Sequence, residues 1–176
     1  MTMPRVISLF KNGQDFNLKF NPVIEFKNYQ SGTLDTIIPA KVITLQLKND
    51  TIIKSGSYEL NFSTDMSLSN TITLTLGNSS EKLYVTLDKV NGNITIDRSN
   101  SGQVSFNNQF SQKIFCPFIP KAGQLTDFQI LVDKTSIELF MDQGEKVMTA
   151  LFFPKYQYNY LKLQSDSDFP AISNFS

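Results

Sequence analysis

Two carboxylates in the apolar stretch from Asp127 to Pro154 have the residue types and spacing that could support chemistry. The segment VDKTSIELF predicts a two-residue turn that pairs Asp133 with Ser136 in an antiparallel hairpin. Glu138 then lies on the same face as Asp133, diagonally across the strands, with Cα atoms about 7–8 Å apart. Retaining glycosidases hold two carboxyl groups about 5–5.5 Å apart, so this arrangement permits an acid and a nucleophile. The structural alternative is a polar turn residue and a carboxylate anchored by hydroxyl groups or an arginine.

The guanidinium group of Arg98 is a second candidate. It lies in an Asp-Arg-Ser run, and its planar fork can hold a carboxylate or two adjacent sugar hydroxyls. In the structural interpretation, Arg98 forms an ion pair across neighbouring strands. The expected partners of that pair are Asp97, Asp133 or Glu138.

Three tyrosines at a period of two form a third candidate group: Tyr156, Tyr158 and Tyr160. On a strand from Tyr156 to Leu163, this period projects all three rings from one face. Such a row could stack on sugar rings, close the edge of the core, or pack against another domain. The residue types alone leave these three possibilities open.

Composition excludes several classes of function. The 16 basic and 16 acidic residues balance without a basic run, which gives nucleic-acid binding no support. The absence of His removes the commonest general base and metal ligand, and the single Cys116 has no partner for an internal disulfide. We expect no metal and no cofactor. No segment approaches the length of a membrane span, so we expect no membrane contact.

Alternation with a period of two predicts an all-β domain built as a two-sheet antiparallel sandwich. The stretch from Asp127 to Pro154 predicts three strands joined by turns at Lys134-Thr135 and Gln143-Gly144. One of its faces is apolar and predicted to face the core: Phe128, Ile130, Val132, Ile137, Leu139, Met141, Met148 and Ala150. The opposite face, called the mixed face below, carries Gln129, Leu131, Asp133, Ser136, Glu138, Phe140, Thr149 and Leu151.

The remaining segments predict further short strands and loops. Asn12-Gly13 predicts a hairpin turn, and Thr71 to Leu76 alternates as a strand does. Gln103 to Gln112 is predicted to be an exposed loop. The polar end of the chain, from Ser165 onwards, is predicted to pack as an irregular tail.

Three motifs carry a family resemblance. The run from Val132 to Gly144, followed by Phe153-Pro154, resembles the signature of the C-terminal β-sandwich domain of glycoside hydrolase family 32, which includes invertases, levanases and inulinases. IDRSNSG, from Ile96 to Gly102, resembles a second element of that family. The opening MPRVISL, from Met3 to Leu9, resembles the linker that leaves the family's catalytic propeller. The motifs occur in the family's order and span nearly the whole chain.

The resemblance implies a concanavalin A-like, or lectin-like, sandwich at residues 11–176 and a linker from an absent catalytic domain at residues 1–10. The family's catalytic residues lie in the propeller, in motifs with Trp, Asp-Pro and Glu-Cys pairs that this sequence lacks. We therefore expect no catalytic residue and no enzymatic activity in this chain alone. Its implied partner is the propeller of a fructan-degrading hydrolase.

A binding function is the alternative that the resemblance implies. A related carbohydrate-binding family, module family 66, uses this sandwich to hold terminal fructose. By that analogy, Arg98 with Asp133 or Glu138 would form a pocket for fructans such as levan or inulin. The parent protein is expected to be secreted, periplasmic or on the cell surface, although no signal segment is visible.

Overall fold

The computed structural model describes residues 2–29, 31–32, 41–48, 50–121 and 123–176. Fourteen β-strands are present in these ranges. In chain order they are β1 (Arg5–Asn12), β2 (Asp15–Pro22), β3 (Lys41–Val42), β4 (Thr44–Lys48), β5 (Tyr58–Thr64), β6 (Thr71–Gly77), β7 (Lys82–Asp88), β8 (Asn93–Asn100), β9 (Ile114–Pro117), β10 (Thr126–Asp133), β11 (Ser136–Met141), β12 (Lys146–Leu151), β13 (Tyr160–Ser165) and β14 (Ile172–Ser173).

Twelve of these strands form two six-stranded antiparallel sheets whose apolar faces share one core. Sheet I has the order β12-β11-β10-β5-β14-β3, and sheet II has the order β4-β13-β6-β7-β8-β9. Buried residues from both sheets belong to a single apolar cluster. The predicted all-β antiparallel sandwich is therefore confirmed. The described helices are short: a 3₁₀ helix at Ile24–Tyr29 and an α-helix at Thr51–Ser55.

The strand pairing in sheet I follows the predicted register. Val132 lies opposite Ile137 and Leu131 opposite Glu138, with the predicted two-residue turn between β10 and β11. All eight residues predicted to face the core belong to the buried cluster. The loop between β11 and β12 spans residues 142–145 instead of two residues, because the last paired residues are Met141 and Lys146.

Sheet II shows the alternation typical of a half-buried strand. Ile72, Leu74 and Leu76 are buried and lie opposite Leu87, Val85 and Leu83. β9 ends at Pro117 and forms one edge of sheet II. A proline is tolerated there because an edge strand has a neighbour on only one side, so the missing N–H need not cost a hydrogen bond between strands.

The chain begins with a hairpin that belongs to neither six-stranded sheet. β1 and β2 pair along their whole length, with the expected turn after Asn12. β1 therefore crosses the expected boundary at residue 10, and a linker role for residues 1–10 stays a prediction. Residues 103–112 form an irregular, mostly exposed loop, as expected.

Two expectations about the end of the chain were wrong. β13 begins at Tyr160, so Tyr156 and Tyr158 lie in the irregular segment before it and do not share a strand face with Tyr160. The terminal tail is also not simply irregular. Ala171 and Ile172 are buried, and β14 inserts between β5 and β3 in sheet I. A two-residue strand carries too short an alternation to be seen in the sequence.

The two faces of sheet I predict different costs for the same substitution. Leu139 on β11 is fully buried in the core, whereas Leu151 on β12 lies on the mixed face and is 44% exposed. Leu139→Ala should lower the free energy of unfolding by about 2–5 kcal/mol because it leaves a cavity. Leu151→Ala should cost less than about 1 kcal/mol, since little buried area is lost. Urea denaturation of both variants checks this, and equal losses would contradict the assignment of the faces.

Candidate functional site

The part of the mixed face around Glu138 is covered by the N-terminal residues. Glu138 is only 5% exposed, and a guanidinium N–H of Arg5 contacts its Oε2 at 2.7 Å. The backbone N–H of Met3 donates to Oε1 of Glu138 at 2.6 Å. Arg5 also donates to the hydroxyl of Thr149 at 2.8 Å and lies 5.3 Å from the ring centre of Phe140. Both carboxylate oxygens of Glu138 are therefore occupied by the start of the chain.

The strand register explains this cluster. Glu138 and Thr149 are direct neighbours across β11 and β12, so their side chains emerge on the same face. Phe140 is two residues further along β11 and is buried on that same face. Arg5 stands at the start of β1 and reaches all three. The N-terminal segment thus explains why this outer face contains buried apolar and charged groups.

Asp133 has a separate set of partners. Its Oδ1 accepts hydrogen bonds from the hydroxyl of Ser57 at 2.7 Å and from the backbone N–H of Lys134 at 2.8 Å. The hydrogen bond from Ser57, followed by that from Lys134, lowers the pKa of Asp133 below its usual value. These hydrogen bonds anchor Asp133 to the turn after β10 and to Ser57 just before β5, as in the structural alternative of a polar turn residue.

Among the described residues, no carboxylate forms an ion pair with Arg98, so the predicted ion pair was wrong. One guanidinium N–H of Arg98 donates to the carbonyl of Leu151 at 3.0 Å, and its Cζ lies 3.9 Å from the ring centre of Phe110. Asp97 instead pairs with Lys113 at 3.2 Å. Glu138 and Asp133 are also held by other partners, Arg5 and Ser57, so none of the three expected carboxylates pairs with Arg98.

Phe110 belongs to an aromatic cluster with Phe106 and Phe153. Its ring is stacked on Phe153 at 5.3 Å and tilted against Phe106 at 4.6 Å. The cluster fixes the loop of residues 103–112 to the segment after β12. No local spacing in the sequence indicates this cluster, since the rings come from segments more than forty residues apart.

The three tyrosines have three different environments. Tyr158 is buried, stacks on Phe152 at 5.3 Å and donates its hydroxyl proton to the carbonyl of Ser101 at 2.9 Å. Burial, with a smaller effect of Glu81, raises the pKa of Tyr158 well above its usual value. Tyr156 is largely exposed, and Tyr160 is partly buried on the outer face of sheet II beside Lys82. They do not form the predicted aromatic row.

Arg5 is the residue of this site that the sequence did not single out. It lies in the MPRVISL motif, and the resemblance of that motif to a linker predicts no role for the Arg5 side chain. The described ranges contain no group of three or more His, Cys, Asp or Glu side chains placed to hold a metal ion. None of the helices in those ranges is long and apolar enough to cross a membrane.

Comparisons with known proteins agree with this architecture. The family model described as "Glycosyl hydrolases family 32 C terminal" matches residues 26–176. An exo-inulinase structure from Aspergillus awamori superposes with a TM-score of 0.81 at 24% identity, covering 97% of this chain and 34% of that one. At this identity the superposition supports the sandwich fold itself.

Two curated relatives are similar over part of the chain. An extracellular exo-inulinase of Aspergillus niger is 34% identical over 88 residues, which are 50% of this chain and 16% of that protein. A sucrose-6-phosphate hydrolase of Streptococcus mutans is 32% identical over 111 residues, 63% of this chain and 22% of that protein. The matches thus span less than a quarter of either relative. The family match over most of its length shows that this chain belongs to the C-terminal domains of glycosyl hydrolase family 32.

Proposed function

We propose that this domain is the non-catalytic C-terminal module of a secreted hydrolase that acts on fructans, and that it supports a catalytic propeller domain through its N-terminal hairpin. The name "extracellular exo-inulinase" of one relative supports both the substrate class and the location. The environments of Asp133 and Glu138 support the absence of catalysis. Both carboxylates are held by partners of their own, Glu138 by Arg5 and Met3 and Asp133 by Ser57.

The observation that carries the proposal is an apolar stripe on the hairpin. Leu9 lies opposite Leu18, and their neighbours Ile7 and Phe16 share the same face by register. These four side chains, called the hairpin stripe, are between 48% and 65% exposed. A contiguous apolar surface of this kind is typical of a protein–protein contact.

The hairpin is attached to the sandwich in a way that leaves this stripe free. The Phe20 N–H donates to the carbonyl of Gly144 at 3.0 Å, and Lys19 pairs with Glu145 at 3.2 Å. Gly144 has a positive φ of 81°, and a Cβ there would collide with the backbone of Phe20. A two-stranded hairpin is marginal by itself, so these contacts and the Arg5–Glu138 pair hold it in place.

A catalytic domain is the occupant that best fits the stripe. The hairpin precedes the segment that the family model matches, and that model describes the C-terminal part of hydrolases. In such proteins the catalytic domain lies N-terminal to the sandwich. The stripe is therefore on the part of this chain nearest in sequence to that domain, and its apolar character suits a permanent contact within one polypeptide.

Fructan recognition by Arg98 together with Asp133 or Glu138 has less support. Arg98 contacts Leu151 and Phe110, whereas Glu138 is enclosed by Arg5 and Met3. A shared pocket would require these contacts to be broken. The supporting role needs no rearrangement of the described side chains.

The isolated chain should release no fructose from sucrose, levan or inulin, because Glu138 is enclosed by Arg5 and Met3 and Asp133 is held by Ser57 and Lys134. A reducing-sugar assay against a buffer blank checks this at high protein concentration. Glu138→Gln and Asp133→Asn are the control variants. Sugar release by the wild-type chain that either substitution abolishes would contradict the proposal.

Substitution of the stripe should weaken the complete hydrolase and spare the isolated domain. In the hydrolase that contains this chain, Leu9→Ser with Leu18→Ser should shorten the half-life of activity at elevated temperature several-fold, because the domain contact loses apolar area. In the isolated domain the same change should alter the free energy of unfolding by less than about 1 kcal/mol, since these side chains are exposed.

Val6→Ser is the matched control, since Val6 is also exposed but lies on the opposite face of β1. It should leave the thermal half-life of the hydrolase unchanged. An unchanged half-life for the stripe variant would show that the stripe does not dock the catalytic domain. Destabilisation of the isolated domain by the stripe variant would instead show an internal packing role.

A further inference from the structure

An open depression lies between the loop after β8 and the segment after β12. It has a volume of about 400 Å³ and is lined by Gly102, Gln103, Val104, Ser105, Phe106 and Lys155. Pockets that bind small ligands begin at roughly 300 Å³. The depression is separate from the hairpin stripe, and none of the residues discussed under the proposed function line it.

One wall of the depression is fixed to the core by its backbone. The Gln103 N–H donates to the carbonyl of Phe153 at 2.7 Å. Gly102 has a φ of 126°, and a Cβ there would collide with the backbone of Phe153 and Pro154. The carbonyl of Ser101 accepts the buried hydroxyl proton of Tyr158. A surface loop with these attachments is held in one conformation before a ligand arrives.

The aromatic cluster fixes the same wall from the other end of the loop. Phe110 is enclosed between the guanidinium of Arg98 and the ring of Phe153. Phe106 contacts Phe110 and Phe153 with ring centres 4.6 and 5.7 Å away, yet it remains 61% exposed. Phe106 is thus an aromatic ring that is held in position by its neighbours and accessible to solvent.

The opposite wall is the segment at Lys155. Its backbone N–H donates to both carboxylate oxygens of the buried Glu81, at 3.2 and 3.1 Å. Glu81 also accepts a hydrogen bond from the side-chain amide of Asn78 at 3.1 Å. The backbone of Lys155 is therefore fixed, while no described acidic side chain forms an ion pair with its ammonium group.

The lining has a definite chemistry. Phe106 offers an apolar ring surface, and Gln103, Ser105 and Lys155 offer an amide, a hydroxyl and an ammonium group as donors. A sugar unit has the complementary pattern, with an apolar C–H surface and several hydroxyl oxygens that accept hydrogen bonds. The single formal charge in the lining gives little basis for binding a multiply charged anion. We propose that this depression binds one neutral sugar unit of an oligosaccharide.

The isolated chain is suitable for the test because it contains the whole depression. Calorimetric titration with sucrose, 1-kestose, short inulin and levan should give a dissociation constant between about 10 μM and 1 mM for at least one sugar. In the amide NMR spectrum, that sugar should shift the signals of residues 102–106 and 155 most. The spectrum of the wild-type chain locates the site without any substitution.

Single substitutions measure how much individual lining side chains contribute to sugar binding. Phe106→Ala should weaken binding roughly 2- to 10-fold, the range expected for loss of one aromatic contact. Lys155→Gln should also weaken binding, because it removes the ammonium group from the lining. The hydrogen bonds between the backbone of residue 155 and Glu81 remain, so the wall keeps its position. Phe115→Ala is the matched control, because Phe115 on β9 is 63% exposed and lies outside the depression. It should bind like the wild-type chain.

Several results would overturn the proposal. One is the absence of heat and of signal shifts with all four sugars at millimolar concentration. Another is equal weakening by Phe106→Ala and Phe115→Ala, which would place the site elsewhere. Inorganic phosphate serves as the anionic probe, and binding of phosphate without binding of any sugar would show that Lys155 serves an anion site. None of these results bears on whether the hairpin stripe docks a catalytic domain.

Discussion

The ion pair between Arg5 and Glu138 is the contact on which the arrangement of the N-terminal segment depends. A buried carboxylate is costly unless it is paired and hydrogen-bonded. Here Arg5 and the Met3 N–H satisfy its two oxygens, and Thr149 accepts a further N–H of the same guanidinium. Removing one partner would leave the other charge buried on an apolar face beside Phe140. The pair thus fixes the start of the chain to the outer face of sheet I.

The domain thus consists of a two-sheet sandwich and an N-terminal hairpin attached to it. The hairpin is bonded to the loop between β11 and β12 through Phe20 and Gly144, and to Glu145 through Lys19. The hairpin stripe itself stays apolar and exposed, and under our proposal it is the surface that contacts a catalytic domain. The loop depression at Phe106 and Lys155 lies in a different part of the fold. A supporting role and a sugar-binding role therefore need not compete for the same residues.

Local patterns were sufficient to predict much of the fold. The turn at Lys134-Thr135 and strict alternation determine the faces of β10 and β11, because a shift of one residue would turn every apolar side chain outward. The partner of Glu138 could not be predicted in this way. Arg5 is separated from it by 133 residues, and no local spacing relates the two. The environment of Arg98 was missed for a similar reason, since its neighbour Phe110 lies in an irregular loop.

A double-mutant cycle on Arg5 and Glu138 tests the central claim most directly. The free energy of unfolding is measured in urea for the wild-type chain, for Arg5→Met, for Glu138→Gln and for the double variant. A buried, hydrogen-bonded pair predicts a coupling energy of about 1.5–3 kcal/mol, because each single variant leaves a group without its partner. Additivity within about 0.5 kcal/mol would contradict the account, since the hairpin would then not be held to the sandwich by this pair.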